Sequence, residues 1–161
     1  MSTKADYTPE EWNLIYAAAP MVGIAVSASS VNMLFGLAKE MLAIGMAIAE
    51  LVHQGGDNEL LRSLADDLRV AGTNVPRPKE LNSPSKARPL AIEHLRRLDA
   101  LLERKSTPAE AEAFKRWLNS IAERVAAASS EGGIFGFGDE KVSEAERAAL
   151  AEIARALRLD V

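Results

Sequence analysis

No cysteine occurs among the 161 residues, which excludes a disulfide framework and any thiolate metal site and suits a reducing compartment. Aromatics are scarce, two Trp, two Tyr and four Phe, too few to interleave with cations as a base-stacking surface. There is no G-K-[ST] after a glycine-rich turn and no G-x-S-x-G, so neither a phosphate-cradling P-loop nor a nucleophile elbow is written into the chain. Only two histidines are present, His53 and His94, and neither a His-x3-His nor a Glu-x2-His pair accompanies His94. The opening MSTKADYTPEEW lacks the charged-then-apolar pattern of a signal peptide, and the expected location is cytoplasmic. No stretch reads as a strand, so the expected fold is all-α: a compact bundle of about six to seven helices in a single domain, 1–161.

The formal net charge is −4. Residues 76–105 carry eight Lys/Arg against four Asp/Glu, and residues 106–161 carry seven against ten. An imbalance of this size describes a solvated surface, and no nucleic-acid partner is expected.

Helix-start signals are explicit. Thr8-Pro9-Glu10-Glu11 and Thr107-Pro108-Ala109-Glu110 each place a capping residue, a proline at the first helical position and a glutamate that closes the capping box. From Asn13 to Ala38 there is no charged residue, a run long enough to span a bilayer. Pro20, Gly23, Asn32 and Gly36 dilute it, and the expectation is buried core helices. Pro20 should end the first helix near Ala18 or kink it, with a second piece from Met21 to about Ala28. After a break at 29–32, a third helix bearing Leu37, Met41, Ile44, Ile48 and Leu51 is apolar nearly all round and expected to be central.

Asp57 or Asn58 should cap a short amphipathic helix with Leu60, Leu61, Leu64 and Leu68 on one face. The segment 71–89 holds four prolines and no apolar period, and reads as the loop joining two halves, 8–70 and 87–159. The second half should begin with a helix from about Ala87 or Pro89, apolar at Ala91, Leu95, Leu98 and Leu102. The next helix presents Phe114, Trp117, Leu118, Ile121 and Val125, and the last presents Leu150, Ile153 and Leu157.

Before that last helix lies EGGIFGFGDEKVSEAE, from Glu131 to Glu146. Its glycines break any helix, because each costs about 1 kcal/mol in a helix interior. Ile134, Phe135 and Phe137 are expensive to leave in water, since burying one such side chain gains about 1.5–3 kcal/mol. The loop is therefore expected to tuck its aromatics inward or to grip a partner, with Phe135, Gly136 and Phe137 as its working residues. Ser143 and Glu146 form another capping box. Residues 28–40 and 128–140 share six identities in thirteen positions, which suggests two related helix-loop-helix units.

At Glu131-Gly132, Val142-Ser143, Glu146, Leu150 and Ile153 the chain resembles the tellurite-resistance TerB-like families, whose helical domains carry an acidic-glycine turn followed by a helix opened by a small residue and a glutamate. Glu131 stands where the family usually has aspartate, and 134–141 is an insertion between the halves of the motif. The resemblance implies an all-helical, stress-linked domain, with a divalent cation as the cofactor its acidic residues would hold. Glu131, Asp139, Glu140 and Glu146 are the candidate ligands; Glu144 adjoins them. Their spacing does not match the D-x-D-x-D-G calcium loop, and acidic residues at a helix start are expected from the helix dipole alone.

The resulting expectation is a non-enzymatic helical interaction or scaffold domain with no required cofactor, working through the Gly/Phe loop and its echo at Asn32 to Gly36 on a protein partner. The alternative is a chain whose apolar first half, Ile15 to Val52, binds a lipid surface or self-associates. Trp12 and Trp117 are expected to anchor the core, either one becoming a docking residue if exposed.

Overall fold

Among the described residues the second helix lies innermost, packed on the first, third, fifth, sixth and seventh. In the computed structural model, residues 2–28, 33–54, 56–71, 84–130 and 142–160 are described, with backbone alone for 33–41, 71, 84, 129 and 130. Among the described residues a 3-10 turn at Lys4–Asp6 precedes seven helices: α1 (Pro9–Tyr16), α2 (Ala18–Ser27), α3 (Met33–Gln54), α4 (Glu59–Ala71), α5 (Pro84–Lys105), α6 (Pro108–Ser130) and α7 (Glu144–Ala156). Among the described residues there is no strand, and no helix is long and apolar enough to cross a membrane.

Three helices begin with the capping box expected of them. Thr8 Oγ1 accepts from Glu11 N at 3.3 Å while Glu11 Oε2 accepts from Thr8 N at 2.9 Å. Thr107 with Glu110 and Ser143 with Glu146 repeat the exchange. Asn58, rather than Asp57, caps α4, its Oδ1 accepting from Leu61 N at 2.9 Å.

α1 ends at Tyr16, close to the end expected near Ala18. The break falls at Ala17, which serves as C-cap to α1 and N-cap to α2. Pro20 thus occupies the third position of α2, inside the first turn, where a helix has no internal partner for its N–H groups anyway. α2 therefore starts three residues before Met21. At the other end of the chain's long proline segment, α5 starts at Pro84, ahead of the expected Ala87 or Pro89, and carries Pro89 within it. Pro84 is suited to a first helical position; Pro89, five residues on, removes one early rung from the ladder.

The centre of the bundle is α2, not α3. Ala18, Ala19, Met21, Val22, Gly23, Ala25 and Val26 are all buried, and α2 packs on α3, α5, α6 and α7. Small side chains make this access possible: a Cβ on Gly23 would collide with the Ile44 side chain of α3. α3 buries Ile44, Ala47, Ile48 and Leu51 on one face and leaves Leu42 and Met46 outside. The expectation of a central α3 fails because no charge falls between Glu40 and Glu50 to mark the outer face as outer.

Leu60, Leu61, Leu64 and Leu68 of α4, Ala91, Leu95, Leu98 and Leu102 of α5, and Phe114, Leu118, Ile121 and Val125 of α6 fill the core as their spacing requires. Full burial of each such large side chain contributes about 1.5–3 kcal/mol.

An ion cluster fastens the C-terminal end to this core. Asp99 and Lys115, both buried, face one another across α5 and α6. Asp99 Oδ1 meets the ammonium as an ion pair without a directed hydrogen bond, while Oδ2 accepts from Arg158 Nε at 2.5 Å. Arg158 takes φ 50 just past α7, a left-handed conformation costing about 1–2 kcal/mol, and also pairs with Glu103.

Candidate functional site

Of the residues singled out in the sequence, Glu131, Phe135, Gly136, Phe137, Asp139 and Glu140 lie outside the described residues, as does most of the echo segment at 29–32. Of the echo's Met33 to Gly36, the backbone is helical. Glu146 is described and buried. Its Oε2 accepts from the Ser143 N–H at 2.8 Å and the Ser143 hydroxyl at 2.9 Å, so this carboxylate serves the helix start. Among the described residues no group of three or more His, Asp or Glu side chains could hold a metal ion.

Neither histidine enters a polar constellation. His53 is exposed at the end of α3. His94 sits half-buried on α5 with Nε2 2.9 Å from the Leu14 carbonyl. Burial holds its pKa below the usual imidazole value, the Leu14 carbonyl opposes that, and the nearby Arg97 cation adds to it. A neutral ring donating from Nε2 satisfies that geometry.

The two tryptophans part company. Trp12 is buried, and its Nε1 donates to Asp67 Oδ2 at 2.7 Å. Trp117 packs edge-on against the fully buried Phe114, ring centroids 5.6 Å apart, yet is only partly covered itself. It lines a cleft of about 380 Å³ between α3, the start of α4 and α6. That size is at the lower end of what ligand pockets occupy.

α3 and α6 run antiparallel along this cleft. Arg124 reaches Glu50 at 2.6 Å, and nearer the N-terminal end of α6, Ala113, Arg116 and Trp117 line the cleft with Gln54, Gly56 and Asp57. Carrying the same register one turn further sets Ala127 and Ala128 of α6 level with Met46. The row Leu42, Met46, Glu50, Gln54 climbs α3 at four-residue spacing, so these side chains share one edge of the helix. Leu42 is 64% exposed and Met46 61%. They are two of four large apolar side chains exposed among the described residues, and they stand one turn apart.

The seam is thus apolar at one end and polar at the other. Its polar end is also sided: Arg116 and Arg124 project from α6, while Glu50 and Asp57 stand opposite on α3 and the α3–α4 turn. Arg124 holds the Glu50 carboxyl below its usual pKa, by hydrogen bond first and by charge second. Arg116 is paired along its own helix to Glu112 at 2.7 Å. Nothing in this arrangement supplies a nucleophile next to a base or an oxyanion site, the parts that a hydrolytic centre needs.

Sequence reasoning missed this seam. Glu50 and Arg124 are 74 residues apart, and Leu42 and Met46 sit in an apolar run that periodicity alone assigns to the core. Trp117, expected as an anchor, was the one signal available. Comparison of the chain with protein-family models, with curated proteins and with solved structures gives no match.

Proposed function

We propose that this chain is a non-enzymatic helical interaction domain that docks a protein partner along the α3–α6 seam. The observation that carries this is the exposed Leu42–Met46 edge running, on the same helix row, into a cleft floored by the partly covered Trp117. Singly exposed apolar residues need no explanation, but a contiguous apolar edge beside an aromatic cleft is the form that binding surfaces take. The likeness to TerB-like domains adds a stress-linked role to this proposal. A divalent cation in the acidic loop remains part of that family-based proposal only, since its residues 131, 139 and 140 are outside the described set.

Selection of displayed helical peptides on the immobilised chain tests the reading. Selected peptides should shift the emission of Trp117 and lose affinity for a Met46→Glu variant. A selection that returns no peptide, or peptides indifferent both to position 46 and to Trp117, would overturn it.

The lipid or self-association reading draws on the same edge. Co-sedimentation with anionic vesicles, or a mass that rises with concentration, abolished in either case by Leu42→Glu, would put that reading in place of partner docking.

A further inference from the structure

Resting on the docking reading, we infer that the seam's partner is a short amphipathic helix with an apolar spine, one acidic flank and one basic flank. Length is the first constraint. From Leu42 to Gln54 the α3 edge rises about 18 Å, which is about three turns of helix, and from Met46 to Gln54 α6 runs antiparallel beside it, so that a helix laid there meets both at once. Spine chemistry is the second. Leu42 and Met46 stand one turn apart and Trp117 lies at the far end of the same trough, so apolar anchors repeating at three- and four-residue intervals on the incoming helix would meet them in series.

Charge decides the flanks. The α6 wall carries Arg116 and Arg124, and the facing wall carries Glu50 and Asp57. A helix with two basic flanks would set one of them against Arg116 and Arg124; a helix with two acidic flanks would set one against Glu50 and Asp57. Only a helix of mixed flanks meets an opposite charge on both sides, and it does so in one direction along the seam, since turning it end for end would set like charges together. The standing Glu50–Arg124 pair, with both side chains nearly half exposed, does not bar entry, because exposed pairs of this kind contribute little.

A second copy of the chain fits less well. A stable dimer buries about 800 Å² on each partner, whereas the described apolar surface of the seam comes down to Leu42, Met46 and part of Trp117. Anionic membrane fits less well too, since such surfaces recruit clusters of cations and this seam sets Glu50 and Asp57 beside its two arginines.

The test uses three synthetic peptides of about 14 residues, long enough to span the seam. They share one leucine spine, contain no tryptophan, and carry mixed, all-lysine or all-glutamate flanks. Binding to the full chain is read by Trp117 emission and by calorimetry, then repeated on Arg116→Glu, Arg124→Glu, in which both walls are acidic. Both arginines are well exposed, and an unchanged melting curve verifies that the variant is folded. The mixed peptide should bind the unaltered chain about tenfold more tightly than either uniform one, a modest charge discrimination, and the all-lysine peptide should become the tightest ligand of the variant. Equal binding of all three with Trp117 responding would overturn the charge assignment and leave the docking reading intact. No response of Trp117 to any peptide would overturn both.

Discussion

Alanine in place of two glycines should move stability in opposite directions. Gly45 lies in α3 on its outer face, and a Cβ built there meets nothing within 4 Å. Gly56 lies in the α3–α4 turn at φ 66, where an added Cβ comes to 2.5 Å of Leu61 Cβ, 3.1 Å of the Leu61 carbonyl carbon and 3.2 Å of Arg62 N. At position 45 only the backbone term operates, so Gly45→Ala should stabilise by about 0.5–1 kcal/mol. At position 56 two costs add: about 1–2 kcal/mol for a left-handed non-glycine residue and a steric term, since the backbone of Leu61 and Arg62 opens α4 and cannot rotate away. Overpacking typically costs about 1–3 kcal/mol, so Gly56→Ala should destabilise by about 2–5 kcal/mol. For a chain of this length each kcal/mol corresponds to about 2–4 °C in Tm. Urea and thermal unfolding of the two variants, side by side, provide the assay. A neutral Gly56→Ala would refute the turn geometry, and a destabilised Gly45→Ala would mean that the outer face of α3 is covered.

Three further outcomes follow from the packing. Gly23→Ala should lose part of its cost when combined with Ile44→Val, because the collision is with the Ile44 side chain; a double-mutant cycle should show coupling of about 0.5–3 kcal/mol, and strict additivity would contradict the α2–α3 contact. Asp99→Ala should cost about 3–5 kcal/mol by leaving the buried Lys115 ammonium unpaired, and Lys115→Met should recover much of it in denaturant midpoints. His94 is held neutral, its pKa lowered chiefly by burial, so the unfolded chain takes up a proton at about pH 6.5 that the folded chain refuses. Stability should therefore fall as pH drops below about 6.5, and urea midpoints at pH 7.5 and 5.5 should converge in His94→Gln; an unchanged pH slope in that variant would refute the assignment.

Much of the fold was legible because its helices announce their starts and bury one regular face. The three capping boxes and the core residues of α4, α5 and α6 all follow from spacing and side-chain type. Two things were not legible. Pro20 and Pro89 were read as boundaries, but each falls inside a helix, Pro20 within a first turn where the missing donor costs little. Which of two apolar helices lies innermost was hidden as well: α2 wins the centre through small residues such as Ala18, Ala19 and Gly23, which let neighbouring helices approach, and hydropathy does not measure approach. The candidate site escaped for a related reason, since Glu50 and Arg124 meet only once α3 and α6 are packed antiparallel.

Amide hydrogen exchange of the chain, free and bound to the mixed-flank peptide, tests the docking seam most directly. Slowed exchange confined to residues 42–57 and 113–124 is the predicted result. Binding that instead protects the outer faces of α5 or α7, with the seam unchanged, would contradict it.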